Sequence, residues 1–149
     1  MRTINGLEEL KAAEGEVLGT SDWHEVTQDD INAFADVTGD HQWIHVDPER
    51  AAAGPFGTTI AHGYLTLALL PAFLERVFEP EARLTVNYGL NRVRFTAPVP
   101  VGSRLRARFE VVSASETTGG VQLALAATVE REGGDKPACV AEAVYRLLA

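Results

Sequence analysis

The sequence predicts an α+β domain in which an antiparallel β-sheet wraps around one long central helix. Three observations predict it. The stretch HGYLTLALLPAFLERVF, from His62 to Phe78, is apolar nearly all round, as a helix buried on every side must be. After Pro80 the hydrophobic period switches from helical to two, the period of half-buried strands. In SRLRARFEV the alternation puts Leu105, Ala107, Phe109 and Val111 on one face and Arg104, Arg106, Arg108 and Glu110 on the other. One polar face per strand suits an antiparallel sheet covered on one side only, and a single apolar helix is available to cover it.

The elements follow in order. EVLGTSDWHEV, residues 16–26, reads as a first strand. Thr27 is a good N-cap, with Asp30 three residues on as a variant capping box. Ile31, Phe34 and Ala35 follow at helical spacing, and Gly39 is a natural stop. Asp47-Pro48 starts a short second helix through ERAAA to Gly54, because a carboxylate caps and proline suits the first helical position. GPFGTT is a loop. Pro71 should kink the central helix by removing one backbone hydrogen bond. RLTVNYG, NRVRFTAPV, SRLRARFEVVSAS, VQLALAATVERE and ACVAEAVYRLL then read as successive strands, punctuated by Pro and Gly.

With 149 residues, no repeat and no linker, a single domain over 1–149 is expected. Lys and Arg number 13 against 21 Asp and Glu, a net charge of −8, so nucleic acid is not an expected partner. The lone cysteine, Cys139, rules out an internal disulfide and fits a reducing compartment. The segment MRTINGLEELKAAEGE lacks the apolar core of a signal peptide, and the apolar stretch at Tyr64–Phe78 is too short to span a bilayer. A cytoplasmic protein with no membrane partner is the expectation.

The chemistry-bearing stretch is GDHQWIH, Gly39 to His45. His41 and His45 stand four apart, as in the zinc-protease signature, but Gly39 ends one helix and Pro48 begins another. Gln42 also stands where that signature needs a glutamate, so no metal is expected. Asp40 and His45 are five apart. In a helix they would lie about 140° apart, and in a strand they would face opposite ways. They converge only if the chain turns between them, which Gly39 and Pro48 favour. A carboxylate and an imidazole around one water can activate it and deliver a proton. Spacing alone leaves open a plainer arrangement, with Asp40 capping a turn and His45 satisfying a backbone carbonyl. A second polar cluster, AHGY at Ala61–Tyr64, puts the Gly63 N–H in the first turn of the buried helix. Unpaired N–H groups there suit a developing negative charge. Gly63 equally suits close helix–sheet packing.

Together, FADVTGDHQWIHVDPERAAAGPFGTTIAHGYLTLALL resembles the MaoC-like, (R)-specific enoyl-CoA hydratase family, in the branch that includes nodulation protein N. The resemblance continues into NYGLNRVRFTAPVPVGSRLRA. It implies the hot-dog fold. It also implies that Asp40 and His45 are catalytic, holding the water added to a trans-2-enoyl-CoA to form an (R)-3-hydroxyacyl-CoA, with Asp40 as base and His45 as proton donor. Gly63 would polarise the thioester carbonyl. Gln42, Trp43, His62 and Tyr64 become candidate substrate-binding residues, and Arg92 and Arg94 candidate contacts to the phosphates of coenzyme A. Coenzyme A enters as part of the substrate, and no separate cofactor is expected. The family commonly has Asn-Pro where this chain has Gln42-Trp43, and Pro71 stands where a hydratase carries a small polar residue near its acyl pocket. The resemblance further implies a homodimer with sites at the subunit interface. A hot-dog acyl-CoA thioesterase and a non-catalytic acyl-thioester binding module are the alternatives.

Overall fold

A computed structural model describes residues 1–149. The chain runs β1 (Arg2–Ile4), α1 (Gly6–Ala12), β2 (Val17–Thr20), β3 (His24–Glu25), α2 (Gln28–Thr38), α3 (Trp43–Val46) and α4 (Pro48–Ala52). It continues through α5 (Gly63–Ala68), α6 (Leu70–Glu75), β4 (Phe78–Pro80), β5 (Leu84–Arg94), β6 (Arg104–Thr117), β7 (Gly120–Arg131) and β8 (Cys139–Leu148). The main sheet is antiparallel, in the order β2-β6-β7-β8-β5, with β3 also pairing β6. Short β1 and β4 pair parallel beside it, a feature of the first residues that the sequence does not announce.

The alternation in β6 holds as read. Leu105, Ala107, Phe109 and Val111 are all at most 1% exposed. They meet Leu123, Leu125 and Val129 of β7 and the buried Leu70, Phe73 and Leu74 of α6 in one apolar cluster. Burial of this continuous face is what closes the sheet around the helix, since apolar area removed from water is the main favourable term in folding.

Three boundaries differ from the sequence reading. The stretch 16–26 is two strands, because the chain breaks at Ser21-Asp22-Trp23 and the Ser21 hydroxyl accepts the Ala107 N–H at 3.0 Å. RLTVNYG and NRVRFTAPV are one strand up to Arg94. Continuous β8 supplies partners from Leu148 to Val140, and β5 absorbs its glycine with register shifts at Asn87/Gly89 and Leu90/Arg92 rather than ending there. The central helix is one rod in two hydrogen-bonded pieces. Leu69 keeps helical angles (φ −77°, ψ −15°) and Phe73 N–H still reaches the Leu69 carbonyl at 3.1 Å. Pro71 has no N–H to offer the Leu67 carbonyl, so the ladder is interrupted where the kink is expected.

The predicted helix over the first half is confirmed with its cap. The Thr27 side chain accepts from Asp30 N–H at 3.1 Å, and the Asp30 carboxylate accepts from Thr27 N–H at 3.0 Å. Gly39 ends α2 in the left-handed region (φ 80°), a conformation that costs glycine little, and its N–H returns to the Ala35 carbonyl at 2.8 Å. That reversal aims Asp40 back toward the central helix. No helix is long and apolar enough to cross a membrane.

Candidate active site

Between the Gly39 stop and the Pro48 start lies a single helical turn, α3, which supplies the reversal expected there. Its geometry comes from its neighbours. The Asp40 carboxylate accepts the Gln42 N–H at 3.3 Å, and the Gln42 carbonyl accepts the His45 N–H at 3.0 Å. The Asp47 N–H reaches the Trp43 carbonyl at 3.1 Å while the Asp47 side chain caps α4 through Arg50 N–H at 3.0 Å. Asp40 therefore does cap a turn, as the plainer reading had it. His45 also does bond a backbone carbonyl, since its Nδ1 lies 2.7 Å from the Ile60 oxygen. Both local roles coexist with convergence: Asp40, His45 and His62 each place one donor atom within 4.8 Å of the others.

His62 is what draws the two together. It is 2% exposed, its ring stacks on His45 at 3.9 Å between centroids (23° interplanar), and Phe34 covers it at 4.9 Å. Its Nε2 lies 2.9 Å from the Asp40 carbonyl, so that nitrogen carries the proton and donates. His62 Nδ1 is buried with no partner. By the same reasoning His45 donates through Nδ1–H to Ile60, which leaves Nε2 as its free nitrogen. The His45 and His62 rings stack nearly parallel, 23° between their planes. A carboxylate beside an imidazole with a free ring nitrogen can hold a water and move a proton.

Electrostatics separates the two histidines of GDHQWIH. Burial holds the His45 imidazole below its ordinary value, opposed by the Ile60 carbonyl, with His62 lowering it further and Asp40 pulling it up. His41 moves the other way, raised by its hydrogen bond to the Asp36 carboxylate at 2.9 Å. It stands outside the cluster, with its side chain half exposed. Cys139 is fully buried and its thiol is pushed up to about 11 by burial, which leaves it inert as a nucleophile.

Gly63 opens α5 directly beside His62. Its N–H, in the first turn, bonds to no backbone carbonyl. A Cβ here would meet the Phe95 ring at 2.8 to 3.0 Å, so packing also asks for glycine. The other candidates are dispersed. The Gln42 side chain is exposed and makes no hydrogen bond within the chain, while the Trp43 indole turns to α4, under the Arg50 guanidinium at 4.4 Å. Tyr64 is 70% exposed with its ring edge-to-face with Phe95. Arg92 and Arg94 lie exposed on β5, Arg94 bonding its own neighbour's Val93 carbonyl at 2.7 Å.

Apolar recesses flank the central helix, among them two that differ in place. One, about 340 Å³, runs between α2 and α5 and includes Phe34, Leu65 and Leu69. The other, about 240 Å³, lies under α6 and includes Pro71, Leu74 and Tyr145. Phe34, which the sequence marks only as part of a helix face, and the pair Gln28 and Thr59 hold the site from behind; no local signal links them to positions 45 and 62.

An antiparallel sheet wrapped around a helix defines a hot-dog protein, and in this one a buried imidazole and a carboxylate converge where the helix starts. The comparisons agree with that class. Residues 9–133 match the family described as MaoC like domain, and the chain belongs to it. It is 58% identical over 151 residues to the 3-hydroxyacyl-thioester dehydratase Z of Mycobacterium tuberculosis, covering 100% of both chains. It is 50% identical over 132 residues to nodulation protein N of Rhizobium leguminosarum bv. viciae, covering 85% of this chain and 81% of that one. Among solved structures, the unliganded R-hydratase PhaJ1 of Pseudomonas aeruginosa superposes with a TM-score of 0.76 at 28% identity, over 91% of this chain and 81% of that one.

Proposed function

We propose that this chain is a dehydratase–hydratase lyase that interconverts trans-2-enoyl thioesters and (R)-3-hydroxyacyl thioesters, with coenzyme A as the thiol carrier. One observation carries the reading. Asp40, His45 and His62 converge within 4.8 Å, with Gly63 next after His62 at the start of α5, in a chain that aligns end to end with a 3-hydroxyacyl-thioester dehydratase.

Neutral His45, with Nδ1–H committed to Ile60, has no proton on Nε2 and donates only after taking one. In hydration, water gives one O–H to the Asp40 carboxylate and the other to His45 Nε2. As the oxygen bonds C3, its proton passes to Nε2 and the carbonyl oxygen gains negative charge, which the Gly63 N–H stabilises. The imidazolium then returns that proton to C2, and Asp40 balances its charge meanwhile. Dehydration runs the same steps backwards and leaves the protein unchanged. This keeps His45 as proton donor but also gives it the base's part that the resemblance assigns to Asp40, because its Nε2 is free to take the proton, and it leaves Asp40 to hold the water.

The apolar recesses beside the central helix supply surface for an acyl chain. Arg92 and Arg94 are the candidate phosphate contacts. Sheet edge β5 exposes Leu84, Val86, Tyr88 and Leu90 and has a strand neighbour only on its β8 side, which supports pairing of two copies along it. The unpaired, buried Cys139 supports a cytoplasmic location.

The test follows loss of enoyl-thioester absorbance with crotonyl-CoA and longer enoyl-CoAs, and chiral analysis of the product. His45→Gln should lower kcat by about 10²- to 10⁴-fold, the range for a positioned proton-transfer group, and Asp40→Asn should lower it too, because a neutral amide cannot balance the imidazolium. If neither substitution slows turnover, the assignment of roles is wrong. Release of free thiol from saturated acyl-CoA would instead support thioester hydrolysis.

A further inference from the structure

Helix α3 is four residues long, too short to hold its shape alone, because a helix meets its nucleation cost before most of its hydrogen bonds form. Its last carbonyls also lack partners within the turn. Yet it carries His45, whose free nitrogen must stay aimed at a water beside Asp40. Something outside the turn has to hold it.

We propose that Gln28 is a positioning residue for the reaction, whose side-chain amide clamps the His45 backbone to the segment that holds the His45 ring. Gln28 is the first residue of α2, right after the Thr27 cap. Its Nε2 donates to the His45 carbonyl at 2.8 Å and to the Asn32 side-chain oxygen at 2.9 Å. Its Oε1 accepts the Thr59 hydroxyl at 2.6 Å. Thr59, 1% exposed, precedes Ile60, whose N–H donates to the Ile44 carbonyl at 3.0 Å and whose carbonyl accepts His45 Nδ1–H at 2.7 Å. The bonds close a ring: Gln28 to the His45 backbone, the His45 imidazole to Ile60, Ile60 along the chain to Thr59, and Thr59 back to Gln28. The imidazole is thus held from its backbone and from its ring nitrogen at once.

The amide is the needed group because this ring of bonds asks for one donor and one acceptor at the end of one side chain, and the second amide hydrogen reaches Asn32. A methionine fills the space with neither. A glutamate keeps the acceptor for Thr59 but turns a carboxylate toward the His45 carbonyl. The titratable groups facing His45 are Asp40 and His62; Gln28→Met leaves both unchanged and adds none, so the titration is judged on it, whereas Gln28→Glu adds a carboxylate that raises the His45 titration by itself.

This inference rests on the catalytic role given to His45, so the experiment carries both. Compare the parent chain, Gln28→Met, Gln28→Glu and His45→Gln for kcat, KM, the acid limb of kcat/KM and thermal midpoint. Follow the His45 imidazole titration by NMR in the parent and the Gln28 variants. A loosened catalytic group costs up to about 100-fold in rate for a displacement near 1 Å. Both Gln28 variants should therefore lose about 10- to 100-fold in kcat with KM within about threefold. As the turn opens to water, the His45 titration and the acid limb of Gln28→Met should move together to higher pH. Unmoved kcat in both Gln28 variants and unmoved limb and titration in Gln28→Met, with His45→Gln inactive, overturn the clamp alone. So does a rate loss that merely tracks lost folded protein. Full activity of His45→Gln overturns the catalytic role itself.

Discussion

Replacing His62 with phenylalanine separates its two jobs. The ring is 2% exposed and lies between Phe34 at 4.9 Å and His45 at 3.9 Å, so an aromatic substitute keeps the stack. What is lost is the Nε2–H donated to the Asp40 carbonyl at 2.9 Å. Asp40 is exposed, so water re-bonds that carbonyl in part, and the lost bond costs about 0.5–1.5 kcal/mol. The slightly larger ring adds under about 1.5 kcal/mol. Removal of the orphaned His62 Nδ1 from its buried place works in the opposite direction. The net is about 1–2 kcal/mol, a fall in thermal midpoint of about 2–8 °C for a domain of this size. Activity should suffer more than stability, because the backbone of Asp40 loses its tether: kcat falls by about 10- to 100-fold. His62 also helps lower the His45 imidazole, so the acid limb of kcat/KM should move up. Enoyl-CoA hydration kinetics against pH, with a thermal melt of the same sample, decide it. A kcat within about threefold of the parent in folded protein would refute the claim that His62 aligns the pair.

Two further outcomes follow from the same geometry. Since His45 titrates below its ordinary value when folded, the unfolded chain binds more protons between the two values. Stability is therefore full above about pH 6.5 and falls as pH drops through that value, and denaturant midpoints against pH should show a shallower fall in His45→Gln. At the sheet edge, Leu84→Glu with Leu90→Glu places two carboxylates on residues 49% and 45% exposed. If β5 pairs two copies, light scattering should show the double variant as monomer and the parent as dimer; the same mass for both would exclude β5 as the interface.

Much of this molecule is local chemistry and was readable along the chain. The capping box of Thr27 and Asp30, the left-handed stop at Gly39 and the Asp47-Pro48 start are each decided by a few neighbouring residues, and each sits where it was expected. The alternation in β6 likewise declared its buried face, because strand period and burial are linked position by position. That Asp40 and His45 meet was legible only through resemblance, since five-residue spacing does not say whether two side chains converge.

Tertiary structure decided the rest, through contacts between residues far apart in sequence. Whether the chain continues past Gly89 depends on β8, whose unbroken run of partners outweighs a glycine's local tendency to end a strand. Whether Asp40 and His45 form a site depends on His62, 22 residues from Asp40, and on Gln28, 17 from His45. A sequence announces the hydrogen-bonding groups it owns. Only the closing of the sheet around the helix decides which of them are left facing one another out of water.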